Sequence, residues 1–106
     1  TEKEKSYFTK VIQNLLRDKD IREYYDPKLR SYNEIEILND NGDVYRLDRV
    51  VELDKNSVAV IDYKTGKNKE DDKNQVNYYK ELLSKIYKGE VYGFIAYIDP
   101  ILIIKT

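Results

Sequence analysis

Three side chains in this 106-residue chain are of types that do chemistry together: Asp48, Asp62 and Lys64. Each aspartate sits in a short apolar run, RLDRVV around Asp48 and VAVIDYKTG around Asp62, and Lys64 follows Asp62 by two positions. Side chains alternate along a strand, so Val58, Val60, Asp62 and Lys64 fall on one face and Ala59, Ile61 and Tyr63 on the other. An acid and a lysine closing an apolar row just before Thr65-Gly66 are costly to bury without a purpose. Carboxylates from neighbouring strands can hold one or two divalent cations, which polarise a phosphate and lower the pKa of a bound water. A lysine beside them can orient or deprotonate that water, or neutralise developing negative charge. The same spacing also fits plain ion pairs, Asp48 with Arg46 or Arg49 and Asp62 with Lys64. The pattern alone weighs these two readings evenly.

Composition narrows the chemistry further. The chain has no cysteine and no histidine, which removes disulfides, thiolate sites, histidine-ligated zinc and serine–histidine catalysis. Any metal site must use oxygen ligands, which points to magnesium, manganese or calcium. The length predicts one domain with one modest core. Charged residues make up 37% and no apolar run approaches the roughly 20 residues a membrane span needs. The chain opens TEKEKSYF, with no secretory segment and no initiator methionine, as expected of a domain cut from a longer polypeptide. Net charge is −1, so the whole surface is no general polyanion binder. Between Lys64 and Lys88, however, seven lysines (64, 67, 69, 73, 80, 85, 88) stand against four acids (70, 71, 72, 81). A basic flank beside a carboxylate cluster fits a phosphodiester substrate, and equally fits a solvated helix.

The elements that must position these residues follow from periodicity. Ser6 to about Tyr25 predicts a helix, with Tyr7, Val11, Ile12, Leu15 and Leu16 as its apolar stripe, Ser6 as N-cap and Tyr24 and Tyr25 near the Asp26-Pro27 corner. SYNEIEIL, residues 31–38, alternates as a strand, with Tyr32, Glu34 and Glu36 on one face and Ile35 and Ile37 on the other. Asn39-Asp40-Asn41-Gly42 predicts a hairpin into a second strand, about 43–53. Asp54 to Ser57 turns the chain into a third, 58–63, so that Glu34, Asp48 and Asp62 can come from adjacent strands. After a polar loop hinged at Gly66, residues 72–88 predict a helix with Gln75, Tyr78, Tyr79, Leu82, Leu83 and Ile86 in one stripe and Gly89 as its stop. VYGFIAYI is a buried strand, expected parallel to the third through a right-handed crossover. Asp99-Pro100 interrupts, and ILIIK closes the chain as a last strand. Gln75 and Tyr79, four apart, share a helical face; they can contact substrate, or simply form the polar edge and part of the core stripe.

The residues RLDRVV, VAVIDYKTG and QVNYY together resemble the RecB-like nucleases of the PD-(D/E)xK superfamily over roughly residues 33–99. That family carries a first-strand acid, an aspartate in a G-x-x-D-R strand, an aspartate–x–lysine strand ending D-Y-K-T-G, and a glutamine and tyrosine four apart on a helix. The order is similar to the nuclease domain at the carboxyl end of UvrD-like or AddA-like helicases of bacterial recombinational repair. The resemblance implies a restriction-endonuclease-like α/β fold, a central mixed sheet flanked by helices, and magnesium- or manganese-dependent hydrolysis of DNA. It implies Asp48, Asp62 and the Tyr63 main-chain carbonyl as metal ligands and Lys64 as catalytic lysine. Glu34 would be the first-strand acid, with Glu36 as a substitute, and Gln75 and Tyr79 an accessory pair. It further implies DNA and a helicase portion as partners, a bacterial cytoplasmic setting and no membrane. This chain lacks the upstream histidine many relatives use and the cysteines of those with an iron–sulfur cluster, and it has Arg46 where a glycine is common. Two other classes stay open: a catalytically silent DNA-binding or helicase-docking module, and a domain whose charged row is structural.

Overall fold

The computed structural model describes residues 1–54, 56–67, 69–98 and 101–106, with the side chains of Phe8 and Ile12 outside that description. The chain is a mixed α/β unit with one five-stranded sheet. Its order is α1 (Glu2–Arg17), a 3-10 turn (Arg22–Tyr25), β1 (Arg30–Leu38), β2 (Val44–Glu52), β3 (Val58–Lys64), α2 (Glu70–Ser84), β4 (Val91–Ile98) and β5 (Ile101–Lys105). The strands lie side by side in chain order, with β1–β2, β2–β3 and β4–β5 antiparallel and β3–β4 parallel. A parallel neighbour needs a long crossover, and α2 provides it. No helix among the described residues is long and apolar enough to cross a membrane.

Each helix covers one face, and the sheet therefore has two cores. On the α2 side Val76, Tyr79, Leu82 and Leu83 pack on Val58, Val60, Ile95 and Tyr97. On the other side Val11, Leu15, Ile21 and Tyr24 pack on Ala59, Ile61, Phe94 and Ala96. A strand covered on both faces is apolar throughout, which is why β3 and β4 read as continuous runs. Gly93 marks where α2 lies close on β4: an added Cβ would meet Val76 Cγ1 at 2.8 Å and Thr106 Oγ1 at 2.5 Å. Gly93→Ala is expected to cost about 1–3 kcal/mol in urea unfolding; an unchanged midpoint would show that α2 has room to move.

Several boundaries differ from the sequence expectation, each for a local reason. The first helix begins at Glu2, because Thr1 and Glu4 form a capping box, and ends at Arg17. There the Asp18 carboxylate accepts from the Asp20 N–H at 2.9 Å and turns the chain. Arg22–Tyr25 is consequently a separate turn. Val11 and Leu15 are buried as expected, whereas Tyr7 and Leu16 are exposed. The second helix runs from Glu70 to Ser84; Val76 joins its buried stripe, and Gln75 and Ile86 do not. Gly89 lies beyond that helix and is needed for close approach, its N–H reaching the Asn56 carbonyl at 2.8 Å. The hairpin turn is as predicted, with Gly42 at φ +85 and Asn39 Oδ1 accepting from Asn41 and Asp43 N–H. The Asp99-Pro100 break lies outside the described residues.

Candidate functional site: an acid pair where the sheet forks

A regular strand cannot place residues three apart on one face, yet Leu47 and Val50 both pack in the α2-side core. The alternation of β2 shifts by one between them, at Asp48. β1 shifts at the same level. Ile35 packs on the α2-side core, and Tyr32 reaches Glu52 beside Tyr87 of that core. Between them Glu34 has φ +54, a left-handed conformation unusual for a side chain of its type. Cross-strand pairing runs Asn33–Arg49, then Ile35–Leu47, and skips Glu34–Asp48. The expected split of Tyr32 and Ile35 onto opposite faces is therefore corrected by a paired kink.

Beyond that kink the sheet forks. Pairing of β2 with β3 covers Glu52–Val58 to Arg49–Ile61 and stops one step short of Asp48 and Asp62. The N–H of Tyr63, with no β2 carbonyl to meet, donates to Asp48 Oδ2 at 2.9 Å. A residue's carbonyl in a strand points the same way as its N–H, so the Tyr63 carbonyl faces the fork as well. Open α/β sheets bind ligands outside the carboxyl ends of their strands, and Asp62 and Lys64 lie at that end of β3. An open hollow of about 1000 Å³, lined by Asn77, Lys80, Ser84 and Lys88, lies instead by Ser57 and Val91, at the far ends of β3 and β4.

Asp62 is 4% exposed, the one buried charged residue among those described. Its Oδ2 lies 3.2 Å from Lys64 Nζ, but that oxygen accepts no hydrogen bond among the described residues. Burial pushes its carboxyl up to about 6, and the neighbouring Asp48 carboxylate adds to this against the opposing pull of Lys64. Asp48 is half-buried and has no ion-pair partner among the described residues: Arg46 goes to Glu34 at 2.7 Å, and Arg49 turns to the opposite face. Two carboxylates against one ammonium leave one negative charge uncompensated in a partly buried place. Tyr79 closes the α2 side. Burial raises its phenol above the usual range, and the negative charges of Asp62 and Asp48 raise it further, with the Gln75 amide opposing. Gln75 itself is exposed.

The structure thus brings Asp48, Asp62, Lys64, Tyr63 and Tyr79 together, with Gln75 at the edge. It turns Glu34 outward to Arg46 and leaves Glu36 exposed on the hairpin. No group of three or more acids able to hold a metal occurs among the described residues. The donors present nonetheless suit a hard divalent cation: two carboxylates, one with a buried oxygen that accepts no hydrogen bond, and a main-chain carbonyl beside them. Sequence reasoning missed the support behind the site, Arg49 and Tyr25. The three-residue spacing of Leu47 and Val50 in RLDRVV hints at the kink in β2, but nothing in the sequence points to Tyr25. No model of a known protein family matches this chain, and comparison with curated proteins returns no match.

Proposed function

We propose that the chain is a divalent-cation-dependent nuclease domain of restriction-endonuclease-like fold that hydrolyses DNA phosphodiesters. The observation that carries this is the buried Asp62 carboxylate, set beside the Asp48 carboxylate and ion-paired with Lys64 at 3.2 Å. As it stands the acid pair repels a phosphodiester; one divalent charge reverses the sign. Asp48, Asp62 and the Tyr63 carbonyl would hold magnesium or manganese, which when bound supplies Lewis acidity toward phosphate and water. Lys64, with its side chain 27% exposed, reaches solvent while tethered to Asp62, and orients a water or offsets charge on phosphate. Tyr79 and Gln75 line the helix side for substrate. Lysines 67, 69 and 73 follow Lys64 in the chain and would suit the phosphate backbone, and the same resemblance extends to a helicase portion working with the domain.

A second reading, a DNA-binding module without catalysis, is favoured by Glu34, whose carboxylate is turned away from the pair. The deciding experiment is cleavage of end-labelled single- and double-stranded DNA with magnesium, with chelator, and by Asp48→Ala. Magnesium-dependent cleavage lost in the variant, with an unchanged circular dichroism spectrum, supports the nuclease. Binding without cleavage in every condition selects the silent module. Equal cleavage by wild type and Asp48→Ala would sink the assignment.

A further inference from the structure

Behind the fork, on the α1 side, both separating strands are tied to the same short turn. Arg49 follows Asp48 on β2, and its Nη2 donates to the Tyr24 carbonyl at 3.0 Å, its Nη1 to Asn33 Oδ1 at 3.2 Å. The guanidinium lies 4.4 Å from the centre of the Tyr25 ring. Tyr63 follows Asp62 on β3, and its hydroxyl shares a hydrogen bond with the Tyr25 hydroxyl. Tyr24 in turn is buried against Phe94 at 4.9 Å between ring centres, which anchors the turn to β4. The ladder between β2 and β3 ends at the Arg49–Ile61 pair, so the clamp runs from the last paired residue of β2 to Tyr63, beyond the last paired residue of β3.

We infer that Tyr25, Arg49 and Tyr63 are positioning residues that set the separation of the Asp48 and Asp62 carboxylates and thereby the size of cation the pair accepts. The inference rests on the cation site proposed above. Arg49 and Tyr63 are each the chain neighbour of an acid and point to the opposite face, and Tyr25 joins them, so a shift of the clamp displaces the acids directly. Magnesium demands ligand distances of about 2.0–2.1 Å in near-ideal geometry, whereas calcium accepts about 2.3–2.6 Å and looser arrangements. Loosening the clamp therefore penalises magnesium more than calcium.

Tyr25→Phe removes only the hydroxyl and leaves the ring beneath Arg49; Tyr63→Phe deletes the same bond from the other strand. Calorimetric titration of wild type and both variants with magnesium, manganese and calcium tests the clamp. The ratio of magnesium to calcium affinity is expected to fall about fivefold or more in both variants, as support of metal ligands typically matters tenfold or more. A merely structural role would shift the melting temperature and leave that ratio alone. An unchanged ratio in either folded variant overturns the inference while leaving the nuclease reading intact. A wild-type protein that binds none of the three cations overturns both.

Discussion

Replacing Asp62 by asparagine is expected to make the domain more stable at pH 8 and to abolish its activity. A carboxyl whose folded value is raised to about 6 from an ordinary 3.8 binds protons more readily folded than unfolded. Stability then falls as pH rises from about 4 to about 6 and stays lowered above that. The full linkage amounts to at most about 3 kcal/mol, since each tenfold change in proton affinity is worth about 1.4 kcal/mol. The amide keeps the shape of the carboxylate and loses its charge, so the gain should be about 1–3 kcal/mol at pH 8 and near zero at pH 4. Urea unfolding of both proteins at the two values measures it. Cleavage should fall by roughly a thousandfold or more, the scale of losing a principal electrostatic contact in a reacting site. If Asp62 were instead a structural partner of Lys64, the variant would lose stability, because one buried member of a pair would be left alone. The sign of one number separates the two cases.

The same raised carboxyl gives cation binding a pH dependence. A proton and a divalent cation compete for the acid pair, so affinity should weaken progressively as pH falls through about 6. Magnesium titrations at pH 5 and pH 8 should differ by about tenfold, the expected consequence of standing roughly one pH unit below the midpoint. Equal affinities would mean that Asp62 takes no part in holding the cation.

What the sequence discloses here is what regular alternation and local turn chemistry govern. Asn39 to Gly42 makes a hairpin because its side chains satisfy the turn locally and Gly42 takes a positive φ. The apolar β3 and β4 are buried because both faces are covered. The row Val58, Val60, Asp62, Lys64 holds because β3 is regular to its end. Asp48 is legible as a residue but its setting is not. Whether it meets Asp62 depends on the left-handed Glu34, the skipped pair and the loss of ladder bonds, all of which are tertiary. Glu34 shows the limit most clearly. Its residue type and regular alternation suit the acid cluster, yet the kink sends its carboxylate to Arg46. Tyr25 and Arg49 escaped for a related reason: a residue that acts from the opposite face, through its neighbour's backbone, leaves no spacing of its own.

Lys64→Met should separate binding from chemistry. The ammonium lies 3.2 Å from Asp62 Oδ2 and is one of the influences holding that carboxyl down, so its removal pushes the carboxyl further up. Well above the shifted midpoint the acid pair is ionised and has lost a competing positive charge, so the comparison is made at the highest pH the fold tolerates. Magnesium affinity should therefore hold or rise, a unit charge about 4 Å away being worth about 1 kcal/mol, roughly fivefold, even at the dielectric of bulk water. Cleavage should nevertheless fall by about 10²–10⁴-fold, because the group that orients water or offsets phosphate charge is gone. Calorimetry and cleavage on one preparation give both numbers. A structural lysine predicts a different pairing of results, with magnesium binding and folding weakened together as the buried Asp62 loses its partner. An acid pair that binds its cation better and works worse without Lys64 would have kept that lysine at a cost in affinity, which is what a catalytic role requires and a packing role does not.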